Sequence, residues 1–176
     1  MDFPDIGIQN INMSLRSAVS ASSSPFTYNQ QVYVHQGVVW MAEVTLPPLT
    51  RSEAKAVEGF LAGLRGGSAT FKLGNPLHNT IGAGNITGAI GDTTVTASIS
   101  GAVVGDYFEF SDHLYIITSI SGSNYGIMPP LRNTASSSTV DFTYPKGTWR
   151  LSTNEINFNI AVDGIHSFTF PIIEAL

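Results

Sequence analysis

The chain has no cysteine in 176 residues, so disulfide frameworks and thiolate metal sites are excluded and the redox compartment is unreadable. Charge is scarce as well: Asp, Glu, Lys and Arg make up 12% of the sequence, against roughly 25% in an ordinary soluble domain. No apolar run approaches the ~20 residues that a membrane-spanning helix needs. Basic clusters are missing; only Arg51, Lys55 and Arg65 come near one another, with Glu53 and Glu58 between them, and the net charge is −5. That argues against nucleic acid as a specific partner. The start, Met1-Asp2-Phe3-Pro4-Asp5, is acidic and lacks the basic and apolar regions of a secretory signal. No Gly-x-Ser-x-Gly elbow occurs. Gly82-Ala83-Gly84 with Gly88 lacks the spacing and the following helix of a dinucleotide fingerprint. A protein this poor in charge has little to dress its surface with, and we expect other subunits to cover part of it.

What is present is β patterning around one helix. Ile6, Ile8 and Ile11 suit a strand, and Ser20-Ala21-Ser22-Ser23-Ser24-Pro25 an exposed loop. Val32 and Val34, then Val38, Trp40, Ala42, Val44 and Leu46, alternate on even positions. For one shared face the intervening loop must be odd, and His35-Gln36-Gly37 fits a three-residue hairpin loop. Pro47-Pro48 ends that strand. Thr50-Arg51-Ser52-Glu53 is a capping box. Ala54, Val57, Leu61 and Leu64, with Phe60 beside them, form one stripe of a helix over about 51–65 that Gly66-Gly67 stops. A strand over 69–73 follows.

From residue 75 the composition shifts to Gly, Thr, Ala and Ser. Short strands are expected over 94–99, 106–110, 114–120, 125–128 and 139–142, as in a small barrel or meander. The division expected is a β body (1–79 and 147–176) with an inserted β subdomain (80–146). A last hairpin pairs Ile156, Phe158, Ile160 and Val162 with His166, Phe168, Phe170 and Ile172 through an odd loop around Asp163-Gly164, so that one face is buried. The expected core is Trp40, Val57, Phe60, Leu61, Leu64, Phe158, Phe168 and Phe170, with Trp149 where insert meets body.

Chemical candidates are thin. Asp106, Glu109, Asp112 and His113 are dense, but on a strand and turn their side chains diverge, which suits turn formation better than metal or acid–base work. Glu43, Glu109 and Glu155 offer no favoured carboxylate pair. Tyr28, Tyr33, Tyr107, Tyr115, Tyr125 and Tyr144 would serve strand packing or, failing that, a glycan-stacking surface. No catalytic residue, cofactor or metal is expected.

Three groups of residues together resemble a family of small structural proteins of bacteriophage tails. One is Ser24-Pro25-Phe26-Thr27 with Gln30-Gln31. The second is Trp40-Met41-Ala42-Glu43-Val44-Thr45-Leu46-Pro47-Pro48-Leu49, running into Arg51-Ser52-Glu53-Ala54 and closing at Phe60-Leu61-Ala62-Gly63-Leu64-Arg65-Gly66. The third is Gly105-Asp106-Tyr107-Phe108, followed by Pro129-Pro130-Leu131-Arg132. The resemblance, to distal-tail, minor-tail or tail-tip proteins, covers most of residues 20–150. It implies a tail-tube-like β-sandwich with a flanking helix, and a ring in the virion that joins tail tube to tip or hub. It carries over no catalytic residue. Assembly would occur in the host cytoplasm, as a hexamer if the ring continues the tube or a trimer if it belongs to the hub. Neutral loops over 16–31 and 75–91 would make the contacts between subunits, through Ser22, Ser23, Ser24, Tyr28, Gln30, Gly82, Gly84 and Asn85. The rival readings are a tail-tip adhesin or carbohydrate-binding β module, and, further off, a small hydrolase.

Overall fold

A computed structural model describes residues 3–74, 81–158 and 165–176. The chain is mainly β, with one α-helix and two antiparallel sheets. β1 (Asn10–Ser23), β2 (Gln30–Thr45), β3 (Phe71–Gly74), β10 (Lys146–Leu151) and β11 (Thr169–Glu174) form the first, in the order β1-β2-β11-β10-β3. β4 (Gly84–Gly88), β5 (Thr94–Ser98), β6 (Tyr107–Phe110), β7 (His113–Ser121), β8 (Asn124–Met128) and β9 (Ala135–Val140) form the second, ordered β6-β7-β8-β5-β4-β9. Paired backbone bonds between Glu109 and Asp141, at 2.8 and 3.1 Å, bring its two ends together into a small barrel.

The helix forms where its capping chemistry places it. α1 (Arg51–Gly63) starts after Thr50, whose N–H and Oγ1 both donate to Glu53 Oε2, at 2.9 and 2.8 Å. Ala54, Val57, Phe60, Leu61 and Leu64 are all buried against the first sheet, and Phe60 meets Phe71 edge-on at 5.3 Å. The exit is left-handed at Arg65 (φ +51°) and Gly66 (φ +66°). At Gly66 a Cβ would stand 2.8 Å from the Asn154 side-chain oxygen, so glycine is required there for space as well as conformation.

Two cores result. The first joins the inner face of the five-stranded sheet to α1, and includes Trp40, Trp149, Phe168 and Phe170. The second fills the barrel around Phe108, Tyr115, Ile127 and Phe142. Leu114 of β7 belongs to the first core, and Tyr107 and Ile116 pack against it, so one wall of the barrel lies on the body.

Several sequence expectations need correction. Residues 35–37 are not a hairpin loop: β2 runs unbroken through them, and they oppose the single residue Ala18 as a bulge, with Ser17 paired to Val38 and Val19 to Val34. The odd count of three keeps the alternation in phase, which is why sequence parity could not tell loop from bulge. The serine-rich stretch through Ser23 is strand, pairing with β2 down to Ser23–Gln30; ladder bonds outweigh the loop preference of serine. Residues 84–88, expected in a loop, form β4, whose backbone pairs with β5 on one side and β9 on the other; Gly84 also leaves room for Ile99, whose Cγ1 would sit 2.4 Å from a Cβ there. Ile156 and Phe158 are not in a strand, and Phe158 is 41% exposed, outside the core. The residues expected to align it (159–164, with the Asp163-Gly164 turn) lie outside the described residues. β11 is a central strand between β2 and β10; its Phe170 and Ile172 are buried, as is Phe168 just before it.

Candidate interaction surface

The longest pairing in the molecule, β1 with β2, outruns the sheet it belongs to. β11 borders β2 only from Thr45 to Met41. Beyond that the two strands continue as a free ribbon, and every residue of β2 from Gln30 to Gly37 is exposed. The ribbon ends in a turn built on Ser24. Its Oγ accepts from the Phe26 and Thr27 amides, both at 3.4 Å, its carbonyl accepts from Tyr28 N, and Tyr28 takes a left-handed φ of +55°. This turn points two aromatic side chains outward: Phe26 is 91% and Tyr28 82% exposed.

The stretch 17–37 contains no Asp, Glu, Lys or Arg. Val19 opposes Val34, and Ala21 opposes Val32. By the alternation of β1 these pairs share the face on which Met13 and Leu15 reach the core, so the apolar inner face of the sheet continues onto the arm. There no other part of the described chain covers it: Val32 is 56% and Val34 77% exposed. Tyr33, on the opposite face, is 60% exposed. At the 150–250 Å² typical of an aromatic side chain, Phe26, Tyr28 and Tyr33 alone offer roughly 350–580 Å² at these exposures. A standard interface takes about 800 Å² from each partner. Among the described residues nothing pairs with the ribbon's outer strand edges, and no lysine or proline blunts them between residues 17 and 24. A two-stranded ribbon is by itself marginal in water.

The expected contact residues divide in two. Ser22, Ser23, Ser24, Tyr28 and Gln30 all lie at the outer end of the arm, the first two and Gln30 in strands rather than loops. Gly82 and Asn85 are exposed on the barrel, but Gly84 is buried against Ile99, which takes it off the surface.

The base of the arm is held by a charged network that sequence spacing gave no means to find. Glu174 of β11 is buried (side chain 3% exposed) and receives Arg132 Nη2 at 2.9 Å, Arg132 Nε at 3.4 Å and Trp40 N at 3.2 Å, with His113 Nδ1 at 3.2 Å. Arg132 also donates to the Val38 carbonyl. Burial pushes the Glu174 carboxyl up, but hydrogen bonds from His113 and Arg132, the Arg132 charge and the Trp40 amide together hold it below its ordinary value. Trp40 Nε1 donates to Leu114 O at 2.8 Å, and Arg132 N to the Tyr115 hydroxyl at 3.0 Å. Burial raises that phenol to about 12. These bonds tie barrel to sheet where the arm departs.

The carboxylates considered for chemistry are occupied with structure. Asp106 Oδ2 accepts from Val103 N at 2.8 Å, Glu109 Oε2 from Lys146 N at 2.8 Å, and Asp112 pairs with Lys72 at 2.6 Å. Burial, with Asp112 and Asp141 nearby, raises the Glu109 carboxyl. Of the tyrosines, Tyr115 and Tyr125 are core, while Tyr28, Tyr33 and Tyr144 are exposed. Among the described residues no group of three or more His, Asp or Glu side chains is arranged to hold a metal ion. No helix in them is long and apolar enough to cross a membrane.

No protein-family model matches this chain, and no curated protein matches it.

Proposed function

We propose that this chain is a structural subunit of a bacteriophage tail, which joins copies of itself into a ring between tail tube and tip. The observation that carries the reading is the uncharged arm, with its apolar face uncovered and its edges open. Such a feature is costly for a free monomer and useful for a subunit whose neighbours cover it. The likeness of residues 24–66 and 105–132 to tail proteins supplies the setting, and Ser24-Pro25-Phe26-Thr27 of that likeness is the tip of the arm. A hexamer is the expected order, with a trimer for a hub position. Tail-tube and hub proteins are the expected neighbours. The test is gold-labelled antibody imaging of particles purified from a lysate. Label at the far end of the tail supports the proposal. Intact particles without label, when disrupted ones bind the antibody, would count against it.

A glycan-binding tail-tip module is the second reading, favoured by exposed Tyr28 and Tyr33 on one ribbon. It differs in requiring glycan binding by the monomer.

A further inference from the structure

Beside the root of the arm lies an open cleft of about 750 Å³, whose walls include Val19, Val38 and Ile173 and whose cationic side chains are Arg16, Arg132 and Arg150. Arg132 is committed to Glu174 and the Val38 carbonyl. Among the described residues, neither Arg16 nor Arg150 lies within ion-pair distance of a carboxylate, and Arg150 makes only a long 3.5 Å bond to Gly67 O. Glu174, also in the lining, is taken up by Arg132, so aliphatic side chains and two guanidinium groups without a carboxylate remain; aromatic rings pack on the former and stack against the latter. The aromatic groups this chain leaves most exposed are Phe26 and Tyr28, at the other end of the same arm.

They cannot serve their own cleft. From Ser17 to Ser23 the ribbon is continuously paired apart from the one bulge, and at about 3.3 Å per residue it holds tip and root roughly 20 Å apart. A second copy has no such restriction. We propose that the aromatic tip of one copy's arm seats in the cleft at the root of the next copy's arm. This rests on the ring reading above and specifies its contact. Tip and cleft are different surfaces, so each copy gives one tip and receives one. Such a heterologous contact repeats by rotation and closes when the rotation divides a full turn. The area is compatible: Phe26 and Tyr28 offer roughly 260–430 Å², and Val32 and Val34, on one face of the same arm, add to this toward the ~800 Å² that each side of a stable interface needs.

The absence of cysteine makes the test clean. Thr27→Cys marks the tip without removing either aromatic group, and Ser17→Cys marks the cleft. A tagged Thr27→Cys chain is mixed with an untagged Ser17→Cys chain and treated with a short bismaleimide. The expected product is the tagged–untagged pair, and a chain bearing both substitutions should give a covalent ladder ending at the ring order. Phe26→Ala with Tyr28→Ala should weaken association at least about ten-fold, as loss of a central aromatic anchor does. Efficient linking of Thr27→Cys to itself would overturn the proposal in favour of tip-to-tip contact. Discrete oligomers without tip-to-cleft linking, and unaffected by loss of both aromatic groups, would overturn it while leaving the ring reading standing. A wild-type chain that stays monomeric at every concentration would remove both.

Discussion

Glu174→Ala should be among the most damaging single substitutions in this chain. It removes the acceptor for Arg132 Nε and Nη2, the Trp40 amide and His113 Nδ1 together. The Arg132 side chain, only 16% exposed, would be left as an uncompensated cation between the two sheets. Breaking a buried pair by removing one partner costs about 3–5 kcal/mol, and the residual exposure of Arg132 points to the lower end, about 3 kcal/mol. For a chain of this length that is a fall in Tm of roughly 6–12 °C, read by circular dichroism at fixed protein concentration. Replacing both partners, Glu174→Leu with Arg132→Met, should recover part of the loss, since no guanidinium is then stranded, while the Trp40 amide still lacks its acceptor. The pH dependence has a definite sign. The Glu174 carboxyl lies below its ordinary 4.5 in the folded chain. Its contribution is therefore fully present above that value and is lost as pH falls through the lower folded value. The gap between wild type and Glu174→Ala should be present at pH 7 and should close in acid as the carboxyl is protonated. A loss under about 1 kcal/mol at pH 7, or a gap that widens in acid, would refute this reasoning.

Other expectations follow from single contacts. Trp40→Phe removes the 2.8 Å buried bond to Leu114 O; urea unfolding should show a loss of about 1–3 kcal/mol, and an unchanged midpoint would contradict the role given to this bond. Gly84→Ala would press a Cβ to 2.4 Å from Ile99 Cγ1, costing about 1–3 kcal/mol and partly relieved by adding Ile99→Ala; a neutral result would mean that the barrel yields there. Tyr115, raised to about 12 by burial, should stay protonated well past the ordinary tyrosine range. Its stabilisation is present below about pH 10 and is lost as pH rises beyond. Ultraviolet titration of wild type against Tyr115→Phe should therefore diverge only above roughly pH 11, and divergence near pH 10 in the folded chain would count against the burial argument.

Local chemistry was legible where it acts over a few residues. The capping box at Thr50 and the stripe Ala54, Val57, Phe60, Leu61 and Leu64 fix α1 by themselves, and alternation from Val38 to Leu46 gives the buried face of β2. Alternation fails when it must say what lies opposite. Val32 and Val34 continue the apolar pattern of β2 but extend past β11, so the same signal that means core at Val44 means open surface at Val34. Serine composition misled at 20–23, because pairing with β2 satisfies the backbone whatever the side chains prefer. The Arg132–Glu174–His113 network joins residues 42 and 61 positions apart, a separation that no motif spans. Arg132 stood in a recognised run, Pro129-Pro130-Leu131-Arg132, but its partner became visible only when β11 took its place beside β10.

The most direct test of assembly through the arm is to compare the wild-type chain with Val32→Asp/Val34→Asp by sedimentation velocity over a concentration series, with negative-stain imaging of the same samples. Both valines are more than half exposed and lie outside both cores, so the two cores should survive the substitutions and the variant's thermal unfolding should stay cooperative. The prediction is one discrete closed oligomer, a six-fold or three-fold ring, for the wild type and a folded monomer for the variant. A wild-type monomer throughout, or a charged-arm variant that assembles as well as the wild type, would contradict it.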